Sequence, residues 1–408
     1  MGLMRRCLSK PLKLNTLEER CLISMKAGDI PSFHGDQAAK IEHLRRTLLN
    51  LHESWGYHLV IPPLLEYLDS LLTGAGSDLE IETFKVIDQL SGRLLGIRAD
   101  FTSQVARIDA HCLKDNGVQR LSYCGSVLRT MPAGLDGTRS PIQLGAEIYG
   151  HGGVESDVEV LSLMLQTLST AGLSNVVLDL GHVDVVSGVL AACDLSADQK
   201  GKLIELYKAK DLPELDRYVE ELSLRDLERK WLVGLPRLCG GKEVLLSATE
   251  LLGGVNESIR NAIVLLQEVS ESICQRFPTV GLHFDLSDLV SYSYHTGVVF
   301  AAYVPGHGNA IARGGRYNNI GQVFGRSRPA TGFSTDVKAL VSLTDIIVKK
   351  PKTVLSPICS SDALWKKANS LRAEGYRVVE VLDDLYTGDA DFKLDFVDDT
   401  WQLMPVQN

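Results

Sequence analysis

Hydrophobic residues recur with helical spacing in residues 37–55. The apolar positions that share one face of this segment are Ile41, Leu44, Leu48, Leu51 and Trp55. Residues three or four apart meet on one side of a helix, so the pattern predicts an amphipathic helix. Residues 57–61 then predict a short strand, which ends at two prolines because proline cannot donate to a sheet ladder.

Apolar runs and helical periodicity alternate through the next part of the chain. The predicted strands are residues 84–88, 92–98, 121–129, 142–150 and 176–180. The predicted helices are residues 102–112 and 155–170. The first two strands are predicted to form a hairpin around Ser91 and Gly92, since glycine favours a tight turn. Gly172 is predicted to close the second helix.

The pattern changes at residue 184, after which nearly every segment up to residue 275 has helical periodicity. Strand patterns return afterwards and predict an α+β fold with an antiparallel sheet and a helical insertion. The later predicted strands are 278–285, 290–303, 309–313, 353–357, 376–382, 392–397 and 400–404, with helices at 336–346 and 361–374. The predicted domains are a tail at 1–26, a core at 27–183 and 276–346, the helical insertion at 184–275, and a small C-terminal α/β domain at 352–408.

Composition and charge restrict the class of protein. The 408 residues are 45% hydrophobic and 23% charged, which is typical of a folded chain of two or three domains. The net charge of −9 argues against a nucleic-acid partner, because binding phosphate usually requires a basic face. Eight cysteines without a CxxC pair indicate reduced thiols and a cytoplasmic location, and no stretch predicts a membrane span. Residues 1–26 are basic and predict a loose tail or an early start codon ahead of Met25, with a targeting peptide as the less favoured interpretation.

No cofactor or metal site is predicted. The chain contains no GxxxxGK[ST] phosphate loop and no convincing GxGxxG fingerprint. Its histidines and cysteines lack the spacing of metal ligands.

Motifs along most of the chain resemble those of histidyl-tRNA synthetases, which are class II aminoacyl-tRNA synthetases. Residues 289–300, LVSYSYHTGVVF, resemble the histidine-specific motif VRGLDYYTGxVF. Residues 55–63 resemble motif 1, the dimer-forming helix and strand. Residues 123–150 resemble motif 2, and residues 332–340 resemble motif 3. Residues 312–317, ARGGRY, resemble the GGGRY turn beside the amino-acid pocket.

The resemblance implies a set of histidine-binding residues. They are Asp100, Thr102, Arg129, Gln143, Glu147, Tyr294 and Tyr317. Asp100 and Thr102 match the acid and hydroxyl that hold the amino group, and on an extended segment they would point to one side. Gln143 and Glu147 match the pair facing the substrate and share one face of a strand. The alternatives are a solvated turn at the first pair and an ordinary strand at the second.

Three other positions lack the groups that handle ATP and charge in the synthetase reaction. Val290 stands where the family has an arginine that contacts the histidine carboxylate, Met131 replaces a glutamate, and Ala339 replaces the ATP-clamping arginine. Loss of one preorganised charge-stabilising donor costs roughly 10²–10³ in rate. The site is therefore expected to bind histidine without activating it. The ligand's carboxylate is expected to meet Gln143 or a backbone N–H instead.

Within this group, the chain most resembles the regulatory subunits of ATP phosphoribosyltransferase. Residues 98–111, RADFTSQVARIDAH, and residues 332–336, GFSTD, are typical of them. The resemblance implies a non-catalytic subunit that activates a short catalytic chain of histidine biosynthesis and mediates histidine feedback. It also implies a homodimer core, a hetero-octamer of four plus four chains, and no tRNA or membrane partner. The C-terminal unit carries aspartates that would repel RNA: Asp383, Asp384, Asp389, Asp391, Asp395, Asp398 and Asp399.

Two alternative functions stay open at this point. An active histidyl-tRNA synthetase would be favoured by arginines at positions 290 and 339, where this chain has Val290 and Ala339. A stand-alone histidine-sensing module with another partner has no sequence feature that distinguishes it.

Overall fold

The computed structural model describes residues 33–73, 77–113, 116–132, 138–287, 295–358, 360–382 and 390–406. The predicted tail at 1–26 therefore lies outside the described residues. The chain divides into two compact units, Met1–Ile346 and Ile347–Asn408. In the described parts, no helix has both the length and the apolar character needed to cross a membrane.

The strands of the described residues are β1 (His58–Leu59), β2 (Leu65–Tyr67), β3 (Phe84–Ile87), β4 (Leu94–Ile97), β5 (Gln119–Ser126), β6 (Ile142–Tyr149), β7 (Val177–His182), β8 (Cys239–Gly240), β9 (Gly281–Asp285), β10 (Val298–Tyr303), β11 (Ala312–Arg316), β12 (Ala330–Asp336), β13 (Thr353–Ser356), β14 (Arg377–Glu380), β15 (Phe392–Val397) and β16 (Thr400–Pro405).

The α-helices of the described residues are α1 (Gly35–Ser54), α2 (Leu68–Leu72), α3 (Ser77–Glu82), α4 (Thr102–Arg107), α5 (Val154–Thr170), α6 (Val183–Ala192), α7 (Ala197–Ala209), α8 (Leu212–Glu221), α9 (Asp226–Gly234), α10 (Glu243–Leu252), α11 (Glu257–Arg276), α12 (Val337–Ser342) and α13 (Asp362–Ala373). A π-helical turn follows α4 at Ile108–Leu113, and 3₁₀ turns occur at Leu235–Arg237 and Gln322–Phe324.

The larger unit is built on a sheet whose described strands follow the order β1-β5-β6-β12-β11-β10-β7-β9-β8. The run from β5 to β7 is antiparallel throughout, while β1 pairs with β5 and β7 pairs with β9 in parallel. A second sheet has the order β2-β4-β3. The predicted α+β class is confirmed. The parallel pairs at the two sides of the large sheet depart from the fully antiparallel arrangement that was predicted.

The first helix packs on the core through the face that the sequence predicted. Ile41, Leu44 and Leu48 are buried, and their apolar burial is the main contribution of α1 to stability. Gly56 follows the helix with φ of +82°, a conformation that glycine adopts without the Cβ clash of other residues. This turn directs the chain into β1, which lies beside β5.

The segment between α6 and α11 is helical in the structure apart from the two-residue strand β8 and the 3₁₀ turn. The C-terminal unit contains α13 and a sheet with the strand order β14-β13-β15-β16. Asp398 and Asp399 join its last two strands with φ of 47° and 59°. Two successive positive φ angles are typical of the tight turns that join antiparallel strands.

Several predicted elements differ from the structure. The strand predicted at 57–61 is limited to His58–Leu59, and the helix predicted at 102–112 is α-helical only to Arg107. The predictions contained no strand at Ala330–Asp336, yet β12 lies in the middle of the large sheet. Its single glycine and its polar residues interrupt the apolar alternation by which strands are recognised.

Candidate functional site

Glycines form part of one face of the large sheet, and we call this part the floor of the site. Across three neighbouring strands, Glu147 of β6 lies opposite Gly332 of β12, which lies opposite Gly315 of β11. Directly opposed residues in antiparallel strands point to the same face, so the Glu147 side chain lies over two residues that have no side chain. A Cβ atom on Gly332 would lie 1.4 Å from Glu147 Oε2. The glycines therefore create the space that the carboxyl group occupies.

A cavity of about 170 Å³ opens above this floor. The residues of β5, β6, β11 and β12 that line it are Tyr123, Glu147, Arg313, Gly314, Gly315, Gly332, Phe333 and Ser334. The lining residues outside these strands are Asp100, Thr102, His295 and Tyr317. We call it the small cavity. Its size suits a ligand no larger than an amino acid, because small-molecule sites enclose most of their ligand's surface.

Glu147 is the buried acid of the small cavity. The hydroxyl of Tyr123 donates to its Oε1 at 3.0 Å, and the hydroxyl of Tyr317 donates to Oε2. Burial raises the pKa of Glu147 to about 8, and the tyrosine hydrogen bonds lower this pKa only in part. At neutral pH the free site therefore holds an uncharged carboxylic acid that can give up its proton to a basic ligand. Such perturbed acids in cavities are candidates for functional groups.

Asp100 and Thr102 also line the small cavity, but the local structure differs from the prediction. The segment is not extended: Thr102 is the first residue of α4, and its N–H donates to Asp100 Oδ1 at 2.7 Å. The predicted extended segment is therefore wrong. A short polar side chain that accepts from a backbone N–H two residues later favours a turn instead. The turn still places both polar groups on the cavity wall.

A larger cavity of about 480 Å³ shares Arg313 and Ser334 with the small one. Its lining residues are Phe33, Arg129, Thr138, Pro141, Gln143, His307, Asn309, Ala310, Ile311, Ala312, Arg313, Ser334, Thr335, Asp336, Lys338, Ala339 and Ser342. Gln143 and Arg129 belong to this cavity rather than to the small one. Gln143 Nε2 donates to Asp100 Oδ2 at 2.6 Å, so Gln143 positions the Asp100 carboxylate from the side of the larger cavity.

The other positions that the sequence analysis singled out lie in the larger cavity, on the surface, or outside the described residues. Ala339 lines the larger cavity with a methyl group. Met131 is 66% exposed and lines neither cavity. Val290 and Tyr294 lie outside the described residues. The structure thus brings together Asp100, Thr102, Glu147 and Tyr317, which all line the small cavity.

The sequence predictions did not include Tyr123 or Arg313 as site residues. Tyr123 is opposite Gly145 on the neighbouring strand, two residues from Glu147, and its ring stacks on Phe101 with centroids 4.6 Å apart. Tyr123 and Leu121 are two residues apart on β5 and share one face of that strand, but only the pairing of β5 with β6 puts Tyr123 beside Glu147. The one local feature that could have indicated Arg313 is its long basic side chain directly before two glycines.

The small cavity is suited to a ligand with several polar groups. A buried acid with a pKa near 8 can form a charge-assisted hydrogen bond with a basic nitrogen, and Asp100 can accept from an ammonium group. Among the described residues, no group of three or more histidine, cysteine, aspartate or glutamate side chains could hold a metal ion.

Comparisons with known proteins identify the family. The family model of histidyl-tRNA synthetase matches residues 31–340. A curated ATP phosphoribosyltransferase regulatory subunit from Marinomonas sp. strain MWYL1 is 90% identical over 374 residues, which cover 91% of this chain and 95% of that protein.

Solved structures share the fold. A structure from Bacillus halodurans, titled an ATP phosphoribosyltransferase regulatory subunit/histidyl-tRNA synthetase, has a TM-score of 0.77 at 26% identity and covers 93% of this chain and 95% of its own. A chain of the ATP phosphoribosyl transferase (HisG:HisZ) complex from Thermotoga maritima has a TM-score of 0.57 at 19% identity, over 72% of this chain and 96% of its own. With a relative 90% identical along nine-tenths of its length, this chain belongs to the family of ATP phosphoribosyltransferase regulatory subunits, which has the histidyl-tRNA synthetase fold.

Proposed function

We propose that this chain binds histidine in the small cavity and transmits that signal to a separate catalytic ATP phosphoribosyltransferase chain in the cytoplasm, without a reaction of its own. The observation that carries the proposal is the contrast between the two cavities. The small one has its buried acid, its aspartate and its tyrosines, while the larger one has Ala339 where a synthetase would have its ATP-clamping arginine.

The polar groups of the small cavity are suited to the imidazole and to the α-ammonium group of histidine. Glu147 would hold the imidazole, because its proton can move to a ring nitrogen and form an imidazolium–carboxylate pair. Asp100 would accept from the α-ammonium group, with the Thr102 hydroxyl beside it. Tyr317 and Tyr123 fix the carboxyl plane of Glu147.

The relatives support a catalytic partner. The Marinomonas protein is named a regulatory subunit of ATP phosphoribosyltransferase, and the Thermotoga maritima structure is titled a complex of that transferase. The described structure also exposes apolar side chains on and near the β2-β4-β3 sheet: Leu59, Ile61, Leu64, Leu65, Tyr67, Ile81, Val86, Ile87, Leu90 and Leu94. Apolar surface gathered in one region is typical of an interaction site. We propose that it contributes to a homodimer core and to a hetero-octamer of four plus four chains.

The purified chain is expected to assemble with the catalytic chain of its own organism and not with tRNA. Light scattering should show a dimer alone and a complex of four plus four chains after mixing, and histidine should inhibit the transferase activity of that complex. A charge of −9 disfavours an RNA complex at physiological salt. No assembly with the catalytic chain, together with intact histidine binding, would instead favour a histidine sensor with another partner.

The chain alone is expected to show no histidine-dependent exchange between ATP and pyrophosphate. With Ala339 in place of the ATP-clamping arginine, the larger cavity has lost one charge-stabilising donor, and loss of one such donor costs roughly 10²–10³ in rate. An active histidyl-tRNA synthetase assayed in parallel provides the positive control. Exchange clearly above the background of protein-free buffer would support the synthetase alternative.

A further inference from the structure

The small cavity contains one lysine or arginine among the described residues that line it, Arg313. Its side chain is exposed, and no hydrogen bond or ion pair to another described residue involves it. Arg316, three residues later on the same strand, is different: it is buried and donates to Asp157 and to Ser156. Arg316 therefore holds the fold together, whereas the Arg313 guanidinium is available to a ligand.

The register places Arg313 on the face that carries Glu147. Gly315 lies opposite Gly332, which lies opposite Glu147, and Arg313 is two residues from Gly315 along β11. Because side chains two residues apart point to the same side of a strand, Arg313 and Glu147 face the same space. Two strand spacings and two residues of rise separate their Cα atoms by roughly 12 Å. Side chains on one face of a sheet stand roughly perpendicular to it, so this spacing leaves room for an amino acid between the two charged ends.

Among the lining residues that the structure describes, Arg313 is the one lysine or arginine that could pair with a carboxylate. Gln143 faces the larger cavity and already donates from Nε2 to Asp100 Oδ2, so the earlier expectation that it receives the carboxylate is weakened. The position that supplies this charge in synthetases is Val290 here, and the first glycine of their GGGRY turn is Arg313 here. By this resemblance, the sequence has a cation where synthetases have the first glycine of the turn, and an apolar residue where they have their arginine.

We propose that Arg313 binds the α-carboxylate of histidine and makes the site specific for the amino acid over its carboxylate-free analogues. This inference rests on the proposed histidine function. The guanidinium donates two N–H groups to the two carboxylate oxygens, while Asp100 holds the neighbouring ammonium and Glu147 holds the imidazole at the other end of the ligand. Arginine suits this role because its planar fork matches a carboxylate.

Calorimetry with L-histidine and with L-histidinol, in which a hydroxymethyl group replaces the carboxylate, tests the proposal. Arg313→Gln should weaken histidine binding by roughly ten- to hundredfold and change histidinol binding less than about twofold, since a charged hydrogen bond is lost for the first ligand alone. Arg313→Lys should recover part of the histidine affinity. Lys338→Gln removes an equal charge from the neighbouring cavity, and it should leave both affinities unchanged.

The outcomes separate this inference from the proposed function. If the wild type binds neither ligand, both the histidine function and the role of Arg313 are wrong. If the wild type binds histidine and Arg313→Gln weakens both ligands equally, or neither, the function stands and the role of Arg313 is overturned. Selective loss of histidine affinity in Lys338→Gln would also count against a direct contact and favour a general effect of charge.

Discussion

Replacing Glu147 with glutamine is expected to weaken histidine binding by roughly ten- to hundredfold at pH 7. Each charge-assisted hydrogen bond contributes about 1.5–3 kcal/mol, and glutamine cannot form the imidazolium–carboxylate pair. The amide keeps the volume of the acid and one acceptor for the surrounding tyrosines, so the fold should persist. Calorimetry on the wild type and on Glu147→Gln measures the difference. Glu205→Gln, at a side chain 75% exposed on a distant helix, is the matched control and should bind like the wild type.

The pH dependence of this difference identifies the proton that Glu147 supplies. With its pKa raised to about 8 by burial, the free acid keeps its proton up to that pH. In the proposed complex the same proton lies on the imidazolium. Above about pH 8 the carboxylate has lost the proton, so the wild type must take one up to bind and its affinity falls with rising pH. Glu147→Gln binds neutral imidazole and should lack this part of the fall, whereas deprotonation of the ligand's α-ammonium group affects both proteins alike. The ratio of the two affinities therefore shrinks between pH 7 and pH 9. Equal affinity of wild type and variant at both pH values, with feedback intact in the complex, would place the regulatory site elsewhere.

Replacing Gly332 with alanine is expected to abolish detectable histidine binding and to lower the free energy of unfolding. The new Cβ would lie 1.4 Å from Glu147 Oε2 and 2.7 Å from the carbonyl oxygen of Ala146, so both the carboxyl group and the strand would have to move. Overpacking of this kind costs roughly 1–3 kcal/mol or more. Urea unfolding and calorimetry on the same samples measure both effects.

Gly201→Ala is the matched control for that substitution. Gly201 lies inside α7, and a Cβ there would meet no atom within 4 Å. Alanine is the better helix former by about 0.5–1 kcal/mol, so this variant should be slightly more stable and should bind histidine normally. If both alanine variants unfolded at the same urea concentration and bound histidine alike, the close approach of Gly332 to Glu147 would be contradicted.

Local sequence patterns were sufficient to predict an element where its hydrophobic residues recurred with a clear helical or strand period. The helix at Gly35–Ser54 and the strand at Ile142–Tyr149 were predicted to within about two residues, because apolar positions at helical or strand spacing report directly which face is buried. The same strand pattern placed Gln143 and Glu147 on one face. The motifs also indicated the family, since residue identities at fixed spacing can be recognised in a sequence before the fold is known.

Other features depended on contacts between residues far apart in the chain. The strand at Ala330–Asp336 was missed, and it is the element that puts Gly332 beneath Glu147. The Asp100 segment was predicted as extended, but the backbone there forms a turn that the Asp100 carboxylate stabilises.

The sequence by itself determined the fold class, the family and most of the acidic and hydroxyl groups of the site, because each of these is encoded in local period and residue identity. Only the tertiary structure decided which groups share a cavity. It separated Gln143 from Glu147, raised the pKa of Glu147 through burial, and brought Arg313 to the same face. The physical reason is that strand pairing and burial are set by long-range packing, which no short window of the sequence contains.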